Sequence, residues 1–148
     1  VQDAVKDTIL NRKATQIRFL KFHMKSTNLI ITLPSGRELV YPDARIVDNR
    51  DICYGSLNSF KKWVTEKSYG GKLVENIVQA IARDVLTEAL KNCAVFDIVM
   101  HVHDEIVIES DEPEVDLHSV EEIMSRPVAW AKGLPLKAES FITKYYKK

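Results

Sequence analysis

Cysteine is scarce in this chain: Cys53 and Cys93 are the two among 148 residues, and they stand in unrelated surroundings. Two isolated thiols make neither a disulfide framework nor a zinc site, and a reducing cytoplasm suits them. Long apolar runs are also missing, so no segment reads as a bilayer-spanning helix, and no secretory signal opens the chain. Internal repeats and low-complexity tracts are absent. Net charge is lacking as well, because 21 Lys and Arg balance 21 Asp and Glu. What these absences leave is a soluble, cytoplasmic protein without membrane contact. Its 45% hydrophobic content fits one ordinary domain or one piece of a larger one. The first residue is Val1 rather than Met, as in an excised or processed piece.

The charge that is present is unevenly spread. Residues 1 to 72 carry 13 Lys and Arg against 7 acids, a balance of +6, and residues 73 to 148 carry 8 against 14, a balance of −6. A basic half can lie along phosphate and an acidic half can collect metal ions. From Asp111 onward the acids read as the solvated coat of a helix and turn.

Periodicity predicts an amphipathic helix near Gln2 to Asn11, where Val1, Val5 and Ile9 share a face at spacing four. A β-hairpin is predicted at about 29–41, with Leu29 to Leu33 and Arg37 to Tyr41 flanking Pro34-Ser35-Gly36. Residues 42–70 read as irregular. A long helix is predicted from about Lys72 to Lys91, where Leu73, Ile77, Ile81 and Val85 recur every fourth residue beside Val74, Val78 and Leu86. Asp116 to Ser125 reads as a short helix stopped before Pro127, and Leu136 to Thr143 as a terminal strand.

The most informative stretch is Ile98-Val99-Met100-His101-Val102-His103-Asp104-Glu105-Ile106-Val107-Ile108-Glu109. Apolar, mostly β-branched runs on both sides of an acidic pair predict two strands and a tight turn with buried flanks. Carboxylates held at such a tip suit a hard divalent cation such as Mg2+, which takes few protein oxygens and fills its shell with water and substrate phosphate. Acids in a turn are equally explained by solvation.

Val102-His103-Asp104-Glu105-Ile106-Val107 resembles the third sequence motif of family A DNA polymerases, the bacterial polymerase I and phage replicase group. Tyr69-Gly70-Gly71-Lys72-Leu73-Val74-Glu75-Asn76-Ile77-Val78-Gln79-Ala80-Ile81-Ala82-Arg83-Asp84 resembles the long palm helix of the same enzymes, above all as phage members write it. Pro127, Trp130-Ala131, Gly133-Leu134-Pro135-Leu136 and Ala138-Glu139 are similar to their closing segment, and Leu33 to Arg37 to a Leu-Pro-Ser-Gly-Arg segment of phage types. Matches in order over roughly residues 28–148 carry more than any short motif alone.

The resemblance implies an α+β fold, an antiparallel palm-type sheet whose catalytic hairpin packs against a long helix and shorter helices. Residues 1–70 would be a remnant of the fingers region and residues 71–148 the C-terminal half of the palm. Asp104 would bind the catalytic Mg2+ ions of a two-metal site completed outside this chain, with Glu105 in support, and His103 would lie beside the primer terminus. Lys72, Asn76, Gln79 and Arg83 form one stripe at intervals of four, three and four. A solvated face is the default for it. In the family a Gln of this helix hydrogen-bonds bases in the minor groove, where every base pair offers an acceptor, and Gln79 takes that place. The bacterial pattern has Asn four residues before this Gln, but here Glu75 stands there and Asn76 is displaced by one. Arg83 reads equally as a partner of neighbours of Asp84 or of Thr87.

His101, His103 and Asp104 also suggest a zinc hydrolase, but the later histidine that could join them, His118, sits in an ordinary helical pattern. The implied partners are primer-template DNA, deoxynucleotide triphosphate and the rest of a polymerase chain. The family's first motif is absent, since Asp43-Ala44-Arg45 does not match it, and so is the triphosphate-binding fingers helix, whose end Arg50-Asp51-Ile52-Cys53-Tyr54-Gly55 matches superficially. The chain alone is therefore expected to be inactive. A non-catalytic module from a split or decayed gene, binding DNA or another polymerase segment, is the alternative.

Overall fold

The structure is a computed structural model that describes residues 1–48 and 50–146; Asn49, Lys147 and Lys148 lie outside the described residues. The chain divides into two compact units, Val1–Ile81 and Ala82–Lys148, and the division falls inside the long helix α2 (Gly70–Asn92). The fold class is α+β, with every strand pair antiparallel.

The first unit opens with α1 (Gln2–Asn11), whose Val5 and Ile9 are buried as their spacing predicts. A four-stranded sheet follows in the order β1 (Thr15–Ile17), β2 (Leu20–Lys25), β3 (Asn28–Thr32), β4 (Glu38–Tyr41). Strand β3 lies between two neighbours, and Leu29, Ile30 and Ile31 are buried in succession, which is why this strand reads as an apolar run rather than an alternation. The second sheet holds β5 (Arg45–Val47), β6 (Asp51–Leu57) and β7 (Trp63–Ser68). The core gathers Val5, Phe22, Leu29, Ile31, Tyr41 and Ile52 against Leu73, Ile77 and Ala80 of α2. At about 25 cal/mol per Å2 of apolar area, burying side chains of this size contributes roughly 1.5–3 kcal/mol each.

Two loop features fix the start of α2 and its register on this core. Gly70 approaches Gln2 so closely that a Cβ there would stand 2.9 Å from the Cβ of Gln2. In return the Gly70 N–H donates to Gln2 Oε1 at 2.9 Å, satisfying one of the helix's unpaired amides. The segment Leu33 to Arg37 closes a turn in which Gly36 N donates to the Leu33 carbonyl at 2.9 Å, with Gly36 at φ +86°. Arg37 Nη2 then donates to the Ala80 carbonyl at 2.7 Å. The Leu-Pro-Ser-Gly-Arg segment thus ties the hairpin to α2.

The second unit contains the rest of α2, the two-stranded sheet β8 (Asp97–Val102) and β9 (Glu105–Glu109), helix α3 (Pro113–Ser125) and a 3-10 turn at Ala129–Ala131. Leu86, Ala89, Cys93, Val120 and Val128 are its buried side chains. Pro113 occupies the first turn of α3, where its missing N–H costs nothing.

Three expectations are corrected. Residues 42–70 are not irregular: Asp, Asn, Ser and Gly punctuate two hairpins there, because the apolar residues of β6 are shielded by packing rather than announced by alternation. Leu136 to Thr143 is not a strand: Leu136 and Ala138 are half-buried in alternation, but Ser140 is exposed and breaks the pattern. The flanks of the acidic turn are half-buried or exposed, not buried, since β8 and β9 pair with each other alone.

Candidate active site

Strands β8 and β9 form the predicted hairpin, with Val102 opposite Glu105 and His103-Asp104 as the two-residue connection. His103 adopts φ 53°, in the left-handed region that such a connection needs at its first residue. His is among the side chains that tolerate it. The imidazole is therefore on the turn and not on the strand, so His101 and His103 do not share a strand face. The ladder slips between Ile98 and Met100, leaving Val99 as an extra residue and re-aiming the strand.

His103, Asp104 and Glu105 are all exposed at this tip. Glu105 accepts a hydrogen bond at 3.0 Å from the hydroxyl of Tyr146, near the end of the chain. That bond, with a little burial and the carboxylate's charge, raises the Tyr146 phenol above its ordinary value. Among the described residues no three His, Cys, Asp or Glu stand together to hold a metal ion. Asp104 and Glu105 are hard oxygen donors and fit a cation such as Mg2+, which uses one or two carboxylates, but they supply only part of a shell.

The stripe on α2 is divided by its contacts. Glu75 Oε1 accepts from Gln79 Nε2 at 3.3 Å, while its other oxygen pairs with Lys72 at 3.3 Å. Such exposed contacts are weak and give way readily to another partner. Asn76 is half-buried instead, and its Nδ2 donates to the Tyr41 hydroxyl at 3.1 Å. Burial pushes that phenol up, and the Asn76 bond opposes the shift. The Tyr41 ring stands edge-on to Tyr54 at 5.0 Å, and the Tyr54 hydroxyl donates to Glu66 at 3.2 Å. Arg83 is exposed, and the Thr87 hydroxyl reaches its backbone carbonyl at 2.8 Å rather than its guanidinium.

In the sequence Glu75 stands where the bacterial pattern has Asn, but its pairing with Lys72 and Gln79 was not foreseen, and neither Tyr41 nor Tyr146 was singled out. The spacing of Glu75, three after Lys72 and four before Gln79, carries that signal. Nothing in the sequence pairs Asn76 with Tyr41 across 35 positions or Glu105 with Tyr146 across 41.

The chain is similar to a DNA polymerase of Bacillus phage SP02, 42% identical over 156 aligned positions that take in the whole of this chain. It spans about a quarter of that polymerase's length, 24%. No family model matches the chain. No solved structure matches it either.

Proposed function

We propose that this chain is the C-terminal part of a phage-type family A DNA polymerase, comprising the end of the fingers and the second half of the palm. The observation that carries the reading is the 42% identity, across the entire chain, to a protein named a DNA polymerase. The exposed Asp104-Glu105 tip and the amide-bearing face of α2 are what such a segment needs. Its substrates are primer-template DNA and deoxynucleotide triphosphate, its partner the remainder of the polymerase, and its compartment the cytoplasm of an infected bacterium.

In this reading Asp104 presents a carboxylate from a turn whose backbone is fixed by the ladder on either side. Glu105, oriented by Tyr146, supports it. Mg2+ bound there would neutralise charge developing at the nucleotide's α-phosphate as the primer 3'-hydroxyl attacks. His103 stands beside the primer terminus, Gln79 reads minor-groove acceptors, and Lys72 and Arg83 meet phosphate. Asn76 serves the same groove with the second hydrogen of its Nδ2, the first being committed to Tyr41.

The test is Asp104→Ala in the polymerase that contains this chain. Loss of a metal ligand acts on the transition state and should slow single-turnover incorporation by several kcal/mol of barrier, at least about 100-fold. Affinity for primer-template, spread over many phosphate contacts, should stay within a few-fold. Near-normal incorporation would remove Asp104 from the catalytic set and leave the chain as a DNA-binding module.

A further inference from the structure

The tip of the β6–β7 hairpin carries exposed aromatic rings on a rigid support. Phe60 is 82% exposed and Trp63 57% exposed. The connecting loop is tightly specified: Asn58 Oδ1 accepts from the amides of Phe60 and Lys62, both at 3.0 Å, and Asn58 N donates to the Lys62 carbonyl at 3.0 Å. The Trp63 indole packs closely against Gly55, where a Cβ would stand 2.3 Å from its Cζ2. Glycine at this position lets the ring rest on the neighbouring strand while more than half of the residue stays exposed.

Cations flank both rings. Lys61 and Lys62 sit in the loop between them, and Arg45 reaches Thr65, two residues along β7 on the Trp63 side, at 2.9 Å. The acids nearby are engaged: Asp51 pairs with Lys67 at 2.8 Å, and Glu66 accepts from Tyr54 at 3.2 Å. Two lysines beside aromatic rings suit a ligand that brings π faces and negative charge together. An apolar protein surface would leave those ammonium groups desolvated without partners.

We propose that this tip is a stacking platform for unpaired bases of single-stranded DNA, with Phe60 and Trp63 taking the bases and Lys61, Lys62 and Arg45 the adjoining phosphates. The platform is independent of the acidic hairpin and of any bound metal. Rigid aromatics hold bases without reading sequence, since every base has a π face.

The experiment measures binding of a labelled oligothymidylate of about 12 nucleotides to the full chain, in chelator so that metal at Asp104 plays no part. Phe60→Ala and Trp63→Ala should each weaken binding at least about fivefold. Trp63 emission, isolated by Trp130→Phe, should be quenched on binding. Paired Lys61→Ala and Lys62→Ala changes should flatten the dependence of log affinity on log salt by roughly 1.4. Phe60 stands at the loop tip, so its removal leaves the fold intact, and Trp63→Phe retains a ring over Gly55 as a second check. Absence of oligonucleotide binding, equal affinity for duplex, or wild-type binding by Phe60→Ala would overturn the proposal. So would self-association lost in Phe60→Ala while oligonucleotide affinity is unchanged, which would make the tip a contact between copies.

Discussion

The hydroxyl of Tyr146 donates to the carboxylate of Glu105 at 3.0 Å, joining the last described residue of the chain to the acidic turn 41 positions earlier. The contact gives Glu105 one preferred orientation and leaves the neighbouring Asp104 exposed. Two adjacent acids of the same motif are thus unlike: one is held by a phenol and the other faces solvent.

Glu105→Ala should return the Tyr146 phenol toward its ordinary titration range. In the wild type, losing the phenolic proton breaks the hydrogen bond to Glu105 and sets two negative charges side by side, so the folded phenol titrates above the unfolded one. The interaction is fully present below the unfolded value and is lost as pH rises through the folded one. Tyrosinate absorbance, with Tyr146→Phe used to identify the signal, measures the shift. An unmoved titration would show that the two side chains do not meet.

Gln79→Ala in the complete polymerase should slow extension and change the response to a mismatched primer terminus, by about 1–3 kcal/mol for a well-made groove contact. Glu75→Ala, which frees the Gln79 amide and Lys72 from their present partner, should not reproduce this loss. Pre-steady-state extension of matched and mismatched primers separates the two. Unchanged kinetics for Gln79→Ala would return the α2 stripe to a plain solvated face.

Helices and the hairpin turns were legible in the sequence because their signals are local. Leu73, Ile77 and Ile81 advertise α2 by period, Gly36 and Pro34 announce a turn, and the Val102 to Val107 run announces another. Strand β1 escaped because three residues are too short to show a period, and β5 to β7 because half their surface is polar; β2 was legible in principle, since Leu20, Phe22 and Met24 alternate with Lys21, His23 and Lys25. Within the site, residue types and their placement on turn or helix could be read. The tertiary hydrogen bonds could not, since Tyr41–Asn76 and Glu105–Tyr146 join positions with no spacing rule between them.

Tyr54 predicts a loss of stability in alkali. Burial, then the hydrogen bond and charge of Glu66, push its phenol up to about 12. A group whose folded value is raised contributes stability that is present below the unfolded value, about 10, and lost as pH climbs through the folded one. Denaturant melts should therefore weaken between about pH 10 and 12, and Tyr54→Phe should flatten that limb. Superimposable pH profiles for the two proteins would show that Tyr54 does not carry the effect.

The 148-residue chain by itself should fold and yet not extend a primer. Folding rests on the first unit, where Phe22, Leu29, Ile31 and Leu73 are fully buried and two sheets cover α1 and the start of α2. Removing one such side chain, as in Leu73→Ala, should cost about 2–5 kcal/mol, which urea melts would detect. Chemistry is another matter. Asp104 and Glu105 offer part of one metal shell, and among the described residues no further His, Cys, Asp or Glu completes it. Mg2+ held by one or two carboxylates without additional ligands or substrate phosphates binds weakly. Orientation of the nucleotide, worth about 7–11 kcal/mol where it is well built, would depend on the triphosphate-binding fingers helix, whose pattern this sequence lacks. Primer extension should be tried with the purified chain alone, and again with a separately made polymerase segment carrying the first catalytic aspartate. Extension in the mixture but not by the chain alone is the expected result. Extension by the chain alone would mean that a second carboxylate lies within it, with Asp43, Asp48 and Asp51 the first to replace.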